Sequence, residues 1–183
     1  MTTAHDDALR EFGTKRLDKR LVHKSHEENV LISRVEALQA PIDSKHEQDS
    51  AFGRTDHFRA FLCINRKHLL WFEHDCDHVH GICLMEAAQQ ITFAIAHLFY
   101  GVPLDMEFAV TECSAQFHSM ASVDHPLIAE QTMSGHVYRR GRLVRVQSAV
   151  VIRQGSLERV RITATVVLLN KDQLKYLEKR ARG

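Results

Sequence analysis

The sequence has no run of about eighteen apolar residues, so nothing in it reads as a membrane span. It has no C-x-x-C pair: its four cysteines, Cys63, Cys76, Cys83 and Cys113, are scattered through apolar segments. That pattern excludes a compact dithiol or zinc-knuckle motif and reads as reduced, mostly packed thiols of a cytoplasmic protein. Neither sign of charge is in excess, with a net charge of +1, which gives no electrostatic reason to expect nucleic acid or an acidic membrane as partner. The opening residues, MTTAHDDALREFG, lack the basic start and apolar core of a signal peptide. Internal repeats and low-complexity tracts are also absent. What remains is 183 residues with 44% hydrophobic and 26% charged content. This suits one compact domain with terminal extensions, large enough to bury a core without disulfide staples. Histidine is the residue in unusual supply, with 13 copies.

Residues 1 to 20 are polar and read as a flexible N-terminal extension, with a short helix expected around Ala8 to Phe12. Residues 29 to 37 have strand character, residues 41 to 56 read as a polar loop, and residues 57 to 65 form an apolar run of strand length. From His80 to Tyr100 the chain is long, apolar nearly all round and free of proline. Gly101 and Pro103 stop it, which predicts a buried helix. The second half is β-like. Met106, Phe108 and Val110 alternate with polar residues, and residues 128 to 138 read as another strand with a turn at Gly141. Residues 142 to 153 and 157 to 169 each place apolar side chains at even positions, a hairpin turned at Gln154-Gly155-Ser156. Residues 171 to 183 read as a charged C-terminal helix and tail. One helix wrapped by a curved antiparallel sheet is a hot-dog fold of the α+β class, here over residues 21 to 170. Such a sheet covers one flank of its helix, so a homodimer is expected to complete the cover.

The chemistry gathers in WFEHDCDHVHGICLMEAAQQ, residues 71 to 90. On a helix, Glu86, Gln89 and Gln90 lie within one turn of one another. A carboxylate among apolar side chains costs energy unless paired, and a poised carboxylate is what general acid–base work requires. A structural glutamate bonded to a loop is the plainer reading of the same spacing. Gly81 sits where the chain turns into the helix, either as a simple tight turn or to admit a ligand to open N–H groups. His74, Asp75, Cys76, Asp77, His78 and His80 are metal-ligand types, but no second cluster supplies the missing ligands, so no metal and no other cofactor is expected. Arg139, Arg140, Arg142 and Arg145 cluster at a turn, which is either a solvated hairpin end or a landing place for a phosphate or an acidic carrier protein.

Three blocks in order resemble the A-factor biosynthesis hot-dog family, the butyrolactone-signal synthases of actinomycetes and their relatives. LVHKSHEENVLIS, residues 21 to 33, is similar to a V-H-[KR] opening. DHVHGICLMEAAQQ, residues 77 to 90, is similar to D-H-x-x-G-x-x-x-x-E-A-x-R-Q. AHLFYGVPLDMEF, residues 96 to 108, is similar to A-H-x-x-x-G-V-P-L-x-x-x-F. The resemblance implies transfer of a β-ketoacyl group from acyl carrier protein, or from a coenzyme A thioester, to a small hydroxyl acceptor such as dihydroxyacetone phosphate. It places Glu86, with His78 or His74, as the catalytic set, and Gly81, Gln89, Gln90, His80 and His23 as substrate-binding residues. Gln89 stands where the family pattern has arginine, which removes a cation suited to the acceptor's phosphate. One domain stands where family synthases usually carry two. A hot-dog thioesterase, a 3-hydroxyacyl dehydratase and a non-catalytic acyl- or lactone-binding module are the competing expectations.

Overall fold

The computed structural model describes residues 15–39, 54–65, 68 and 76–181. Eight strands and two helices follow in the order β1 (Ile32–Ala37), β2 (Asp56–Leu62), β3 (His78–Val79), α1 (Gly81–Tyr100), β4 (Glu107–Phe117), β5 (Ala121–Ser122), β6 (Ile128–Arg139), β7 (Arg142–Gln154), β8 (Leu157–Leu169) and α2 (Lys171–Ala181). Six strands form one antiparallel sheet in the order β1-β2-β6-β7-β8-β4, and β3 pairs with β5. The predicted short helix at 8–12 and residues 41–53 of the predicted 41–56 loop lie outside the described residues.

The period-2 pattern of the last two long strands sets the inner face. Val146, Val150 and Ile152 of β7 and Val160, Ile162 and Val166 of β8 are all buried. The register pairs Val150 with Ile162 and Val146 with Val166, so each pair packs on the same face, toward α1. β1 and β4 are among the elements that depart from the sequence expectation, as are the short unpredicted strands β3 and β5. β1 begins at Ile32 because Glu27–Asn29 closes a 3-10 turn first. β4 runs on to Phe117, well past the alternating Met106 to Val110. Its middle, from Val110 to Ser114, is exposed, and an edge strand with little cover has no reason to alternate.

α1 is long and apolar enough to cross a membrane by length and composition, but here it is the core helix. Ile91 and Ile95 are fully buried, and truncating either to alanine would cost about 2–5 kcal/mol. The helix ends where Gly101 takes a left-handed φ of 62° and returns its N–H to the Ala96 carbonyl. At that end the buried Asp56 accepts from Tyr100 Oη at 2.7 Å and from Arg54 Nε at 2.8 Å, tying β2 to the helix. Burial, and then the Asp56 bond, raise the Tyr100 pKa.

A strap of non-sheet chain before β1 covers the flank of α1 that the sheet leaves open. Its backbone is held by Leu17 N–H donating to Ile32 O, and by Arg16 donating to the Glu27 and Val30 carbonyls. The entry into α1 is held from the other side. The Gln154 side chain accepts from Ser122 N–H and donates to the Ser122 and His125 carbonyls. That pins β5, which pairs His78 with Ser122 in β3.

Candidate functional site

Glu86 occupies the second turn of α1. Its Oε1 accepts two bonds, from Lys24 Nζ at 2.7 Å and from Gln90 Nε2 at 2.8 Å. Its Oε2 has no partner among the described residues. The Lys24 and Glu86 side chains are 27% and 19% exposed, so the pair is screened less than a surface ion pair. The carboxylate in the apolar helix is therefore paired: the strap delivers a cation to it.

Gln90 is likewise placed differently from a substrate ligand. It is fully buried. Its Nε2 donates to Asn29 O and Glu86 Oε1, and its Oε1 accepts from Leu31 N–H. Both amide hydrogens are committed, so Gln90 staples the strap to the helix and orients Glu86. Gln89, one residue earlier, is exposed and lines the cavity described below.

Gly81 also has a packing reason. A Cβ built there would lie 2.8 Å from Phe117 Cε1, so the ring of Phe117 fills the approach to its α-carbon. The N-cap residue His80 makes no side-chain cap, which leaves the first-turn N–H groups of α1 without one from that residue. His80 Nε2 lies 3.6 Å from Cys76 Sγ, and its ring centroid is 5.6 Å from that of His78. Neither His78 nor His80 is placed against Glu86. His74 lies outside the described residues.

His23 adopts a left-handed conformation, φ 55°, at the end of a 3-10 turn. Its Nε2 lies 3.0 Å from His97 Nε2. His97 Nδ1 donates to the Val102 carbonyl at 2.8 Å, so its Nε2 accepts and His23 donates. Phe93 and Phe108 flank the His23 ring. Burial first, and then His97, hold the His23 pKa below the ordinary imidazole value. His23 thus seats the strap on the helix beside Lys24.

Between α1 and strands β4, β7 and β8 lies a cavity of about 360 Å³. Ile82, Met85, Glu86 and Gln89 line it on the helix, and Val110, Cys113, Ile162 and Val166 on the sheet. Ile82 is 71% exposed and marks its open end, whereas Thr92, Phe93 and Ser148 at the other end are buried. An apolar slot of this size with one carboxylate at the mouth suits a chain-like ligand with a reactive polar head. Among the described residues no group of three metal-ligating side chains converges. Arg139, Arg140, Arg142 and Arg145 flank the β6–β7 turn, all exposed and without an acidic partner among the described residues.

Sequence reasoning did not place Lys24, Phe117, Thr92 or Ser148 in the site. Lys24 stood in the V-H-[KR] block, but no spacing rule links it to Glu86. Ser148 broke the apolar even-position pattern of β7, a signal that was visible in the sequence.

An antiparallel sheet in this order wrapped around one long helix defines a hot-dog domain. The family model for the A-factor biosynthesis hotdog domain matches residues 5–170, and the chain belongs to that family. Solved structures show the same fold at low identity. A hot-dog-like protein from Thermanaerovibrio acidaminovorans superposes with a TM-score of 0.55 at 12% identity, over 73% of this chain and 96% of that one. A mutant thioesterase from Pseudomonas aeruginosa does so with a TM-score of 0.51 at 12% identity, over 86% and 98%. No curated protein matches the chain in sequence.

Proposed function

We propose that this protein is an acyltransferase that moves an acyl group from the pantetheine thioester of a carrier protein or coenzyme A to a small hydroxyl acceptor. One observation carries the reading: Glu86 presents a carboxylate oxygen that has no partner among the described residues at the mouth of an apolar cavity, while Lys24 and Gln90 hold the other. The acyl chain lies in the cavity, with the thioester carbonyl at the open end beside the first turn of α1. The acceptor hydroxyl donates to Glu86 Oε2. As its oxygen attacks the carbonyl carbon, its proton passes to Glu86. The first-turn N–H groups favour the developing oxyanion. When the tetrahedral centre collapses, the C–S bond breaks and Glu86 returns the proton to the departing thiolate.

With glutamine at position 89, the cation beside the carboxylate is Lys24. It, rather than a helix arginine, is the group that meets a phosphate on the acceptor. The four arginines at the β6–β7 turn, without an acidic partner among the described residues, suit the acidic surface of a carrier protein. We further propose that a second copy pairs along β4. This edge is eleven residues long and leaves Val110 and Phe117 exposed.

A second reading has one observation in its favour. Without the helix arginine, water is an equally well-placed nucleophile for Glu86, which would make the protein a thioesterase. Intact-mass spectrometry of a β-ketoacyl carrier protein with the purified chain separates them. Deacylation that requires dihydroxyacetone phosphate and yields its ester is the expected result. Deacylation without acceptor would replace the transferase reading with the thioesterase, and an untouched carrier would overturn both.

A further inference from the structure

Two rigid assemblies close the deep end of the cavity. The first is built on the Phe93 ring, which is 5% exposed, stacks on Phe108 with centroids 4.2 Å apart and packs against His23 at 5.3 Å. Phe108 in turn meets His97, whose Nδ1 is bonded to the Val102 carbonyl. The second is the pair Thr92 and Ser148, each 4% exposed. Thr92 donates its only hydroxyl proton to the Ala88 carbonyl, so Ser148 is the donor in the 3.1 Å bond between the two hydroxyls. Gln131 Nε2 donates to both oxygens, at 3.0 and 2.9 Å, although Gln131 itself does not line the cavity. Both hydroxyl protons are thus spent inside the network, and neither faces a ligand. Flexible aliphatic side chains would yield to a longer chain, but this floor does not. Moving Phe93 unstacks an aromatic cluster, and moving Thr92 or Ser148 breaks buried hydrogen bonds. The adaptable residue of the lining, Met85, stands next to Glu86 in the chain, away from the floor.

We propose that Phe93, Thr92 and Ser148 limit the acyl chain to about eight to ten carbons and select for a tail without hydrogen-bond acceptors. The proposal rests on the acyl-thioester reading of the same cavity. Two measures of the space agree. Thr92 is six residues beyond Glu86 on α1, about 9 Å at about 1.5 Å per residue. An extended chain advances about 1.2 Å per bond, so about seven bonds, or eight carbons, separate a carbonyl at Glu86 from the floor. The volume of about 360 Å³ holds about twelve non-hydrogen atoms at about 30 Å³ each. With the thioester oxygen and sulfur among them, about ten are carbon. A keto group at the tail would be buried against hydroxyls that have no proton to give it, and an acceptor left unpaired is costly.

The test is a length series of saturated alkyl pantetheine thioethers, from about four to about sixteen carbons, titrated calorimetrically against the full chain. Affinity is expected to climb about fourfold per methylene, the worth of one buried methylene, up to about eight to ten carbons. It should then fall at least about tenfold by about fourteen carbons, because the extra carbons must displace the floor. A decyl ligand with a keto group next to its terminal methyl should bind about tenfold more weakly than the plain decyl ligand. In Phe93→Ala the optimum should move out by about two carbons or more, into the space the ring leaves. Affinity still rising past about twelve carbons in the unaltered protein would overturn the limit and leave the acyl-thioester reading standing. Equal or tighter binding of the keto ligand would overturn the selection for an apolar tail. An optimum unmoved in Phe93→Ala would take the limit away from Phe93. If no length binds, this proposal and the acyl-thioester reading both fall. The series on the unaltered protein decides the length limit even if the variant folds poorly.

Discussion

Lys24 Nζ lies 2.7 Å from Glu86 Oε1, joining the strap before β1 to the second turn of the core helix. Under the proposed acyl-transfer reading this contact makes Glu86 an oriented base, because the lysine and Gln90 hold one oxygen and leave the other, which has no partner among the described residues, to an acceptor. Replacing Glu86 with glutamine keeps the shape and still lets Lys24 and Gln90 find an oxygen. Turnover of acyl thioester is expected to fall by about 100-fold or more, the ordinary worth of a positioned base. Ligand affinity should change little. Unchanged turnover in Glu86→Gln would remove the glutamate from the chemistry.

Gln90 carries a different kind of consequence. Gln90→Leu leaves the Leu31 N–H and the Asn29 carbonyl without partners beneath the strap. Two orphaned buried groups cost about 2–4 kcal/mol together. For a chain of this size that is about 5–15 °C in Tm by calorimetry. A Tm within a degree or two of the unaltered protein would mean the strap does not depend on this side chain.

How far this arrangement could be read beforehand divides by the range of the interactions. The long helix and the β7–β8 hairpin were legible because burial of one face imposes a period on local sequence. Glu86 was legible as an anomaly against that period. The role of Gln90 was not, since a buried amide on a helix looks alike whether it meets substrate or backbone. The apolar Val30 and Leu31 give the end of the strap a strand-like sequence, yet they are buried by docking on α1. Phe117 escaped notice because an exposed edge strand carries no periodic signal, and its contact with Gly81 joins residues far apart in the chain.

That contact can be measured directly. Gly81→Ala pushes a Cβ into the Phe117 ring, which must swing away. The variant alone should lose about 1 kcal/mol in chemical denaturation. In a Phe117→Ala background the clash is gone, and the same change should be neutral or stabilising by up to about 1 kcal/mol, since alanine is the better helix former. A coupling energy near zero in this double-mutant cycle would show that the two residues do not constrain each other.

Stability should depend on pH through His23 and His136. Burial lowers the pKa of both below the ordinary value; the carboxylate of Asp56 opposes this at His136 without reversing it. The unfolded chain protonates these imidazoles as pH falls through about 6.5. The folded chain takes up those protons only at lower pH. In that window the unfolded state binds more protons, so stability rises with pH there and falls as the pH drops. Urea midpoints should be flat above about pH 7 and decline between pH 6.5 and 5. In His23→Phe, where the ring stays among Phe93 and Phe108, the decline should be shallower. An identical profile in that variant would assign the dependence elsewhere.

The cysteines report on the cavity itself. Burial pushes the Cys63 thiol up to about 11 and the Cys83 thiol up to about 12, so neither offers thiolate to a reagent in the native protein. Cys113 is exposed on β4, pairs with Ala164 of β8 and lines the cavity wall. Cys76 is half-buried beside His80, outside the cavity lining. Native alkylation with iodoacetamide, followed by peptide mass spectrometry, should therefore label Cys113 and Cys76 and spare the other two. Saturation with an acyl-pantetheine thioether should slow the labelling of Cys113 several-fold, because a chain lying between Met85 and Ala164 covers its sulfur. Cys76 serves as the internal control, and its rate should hold. If the ligand binds and Cys113 reacts as fast as before, the acyl chain lies somewhere other than the space between α1 and β4.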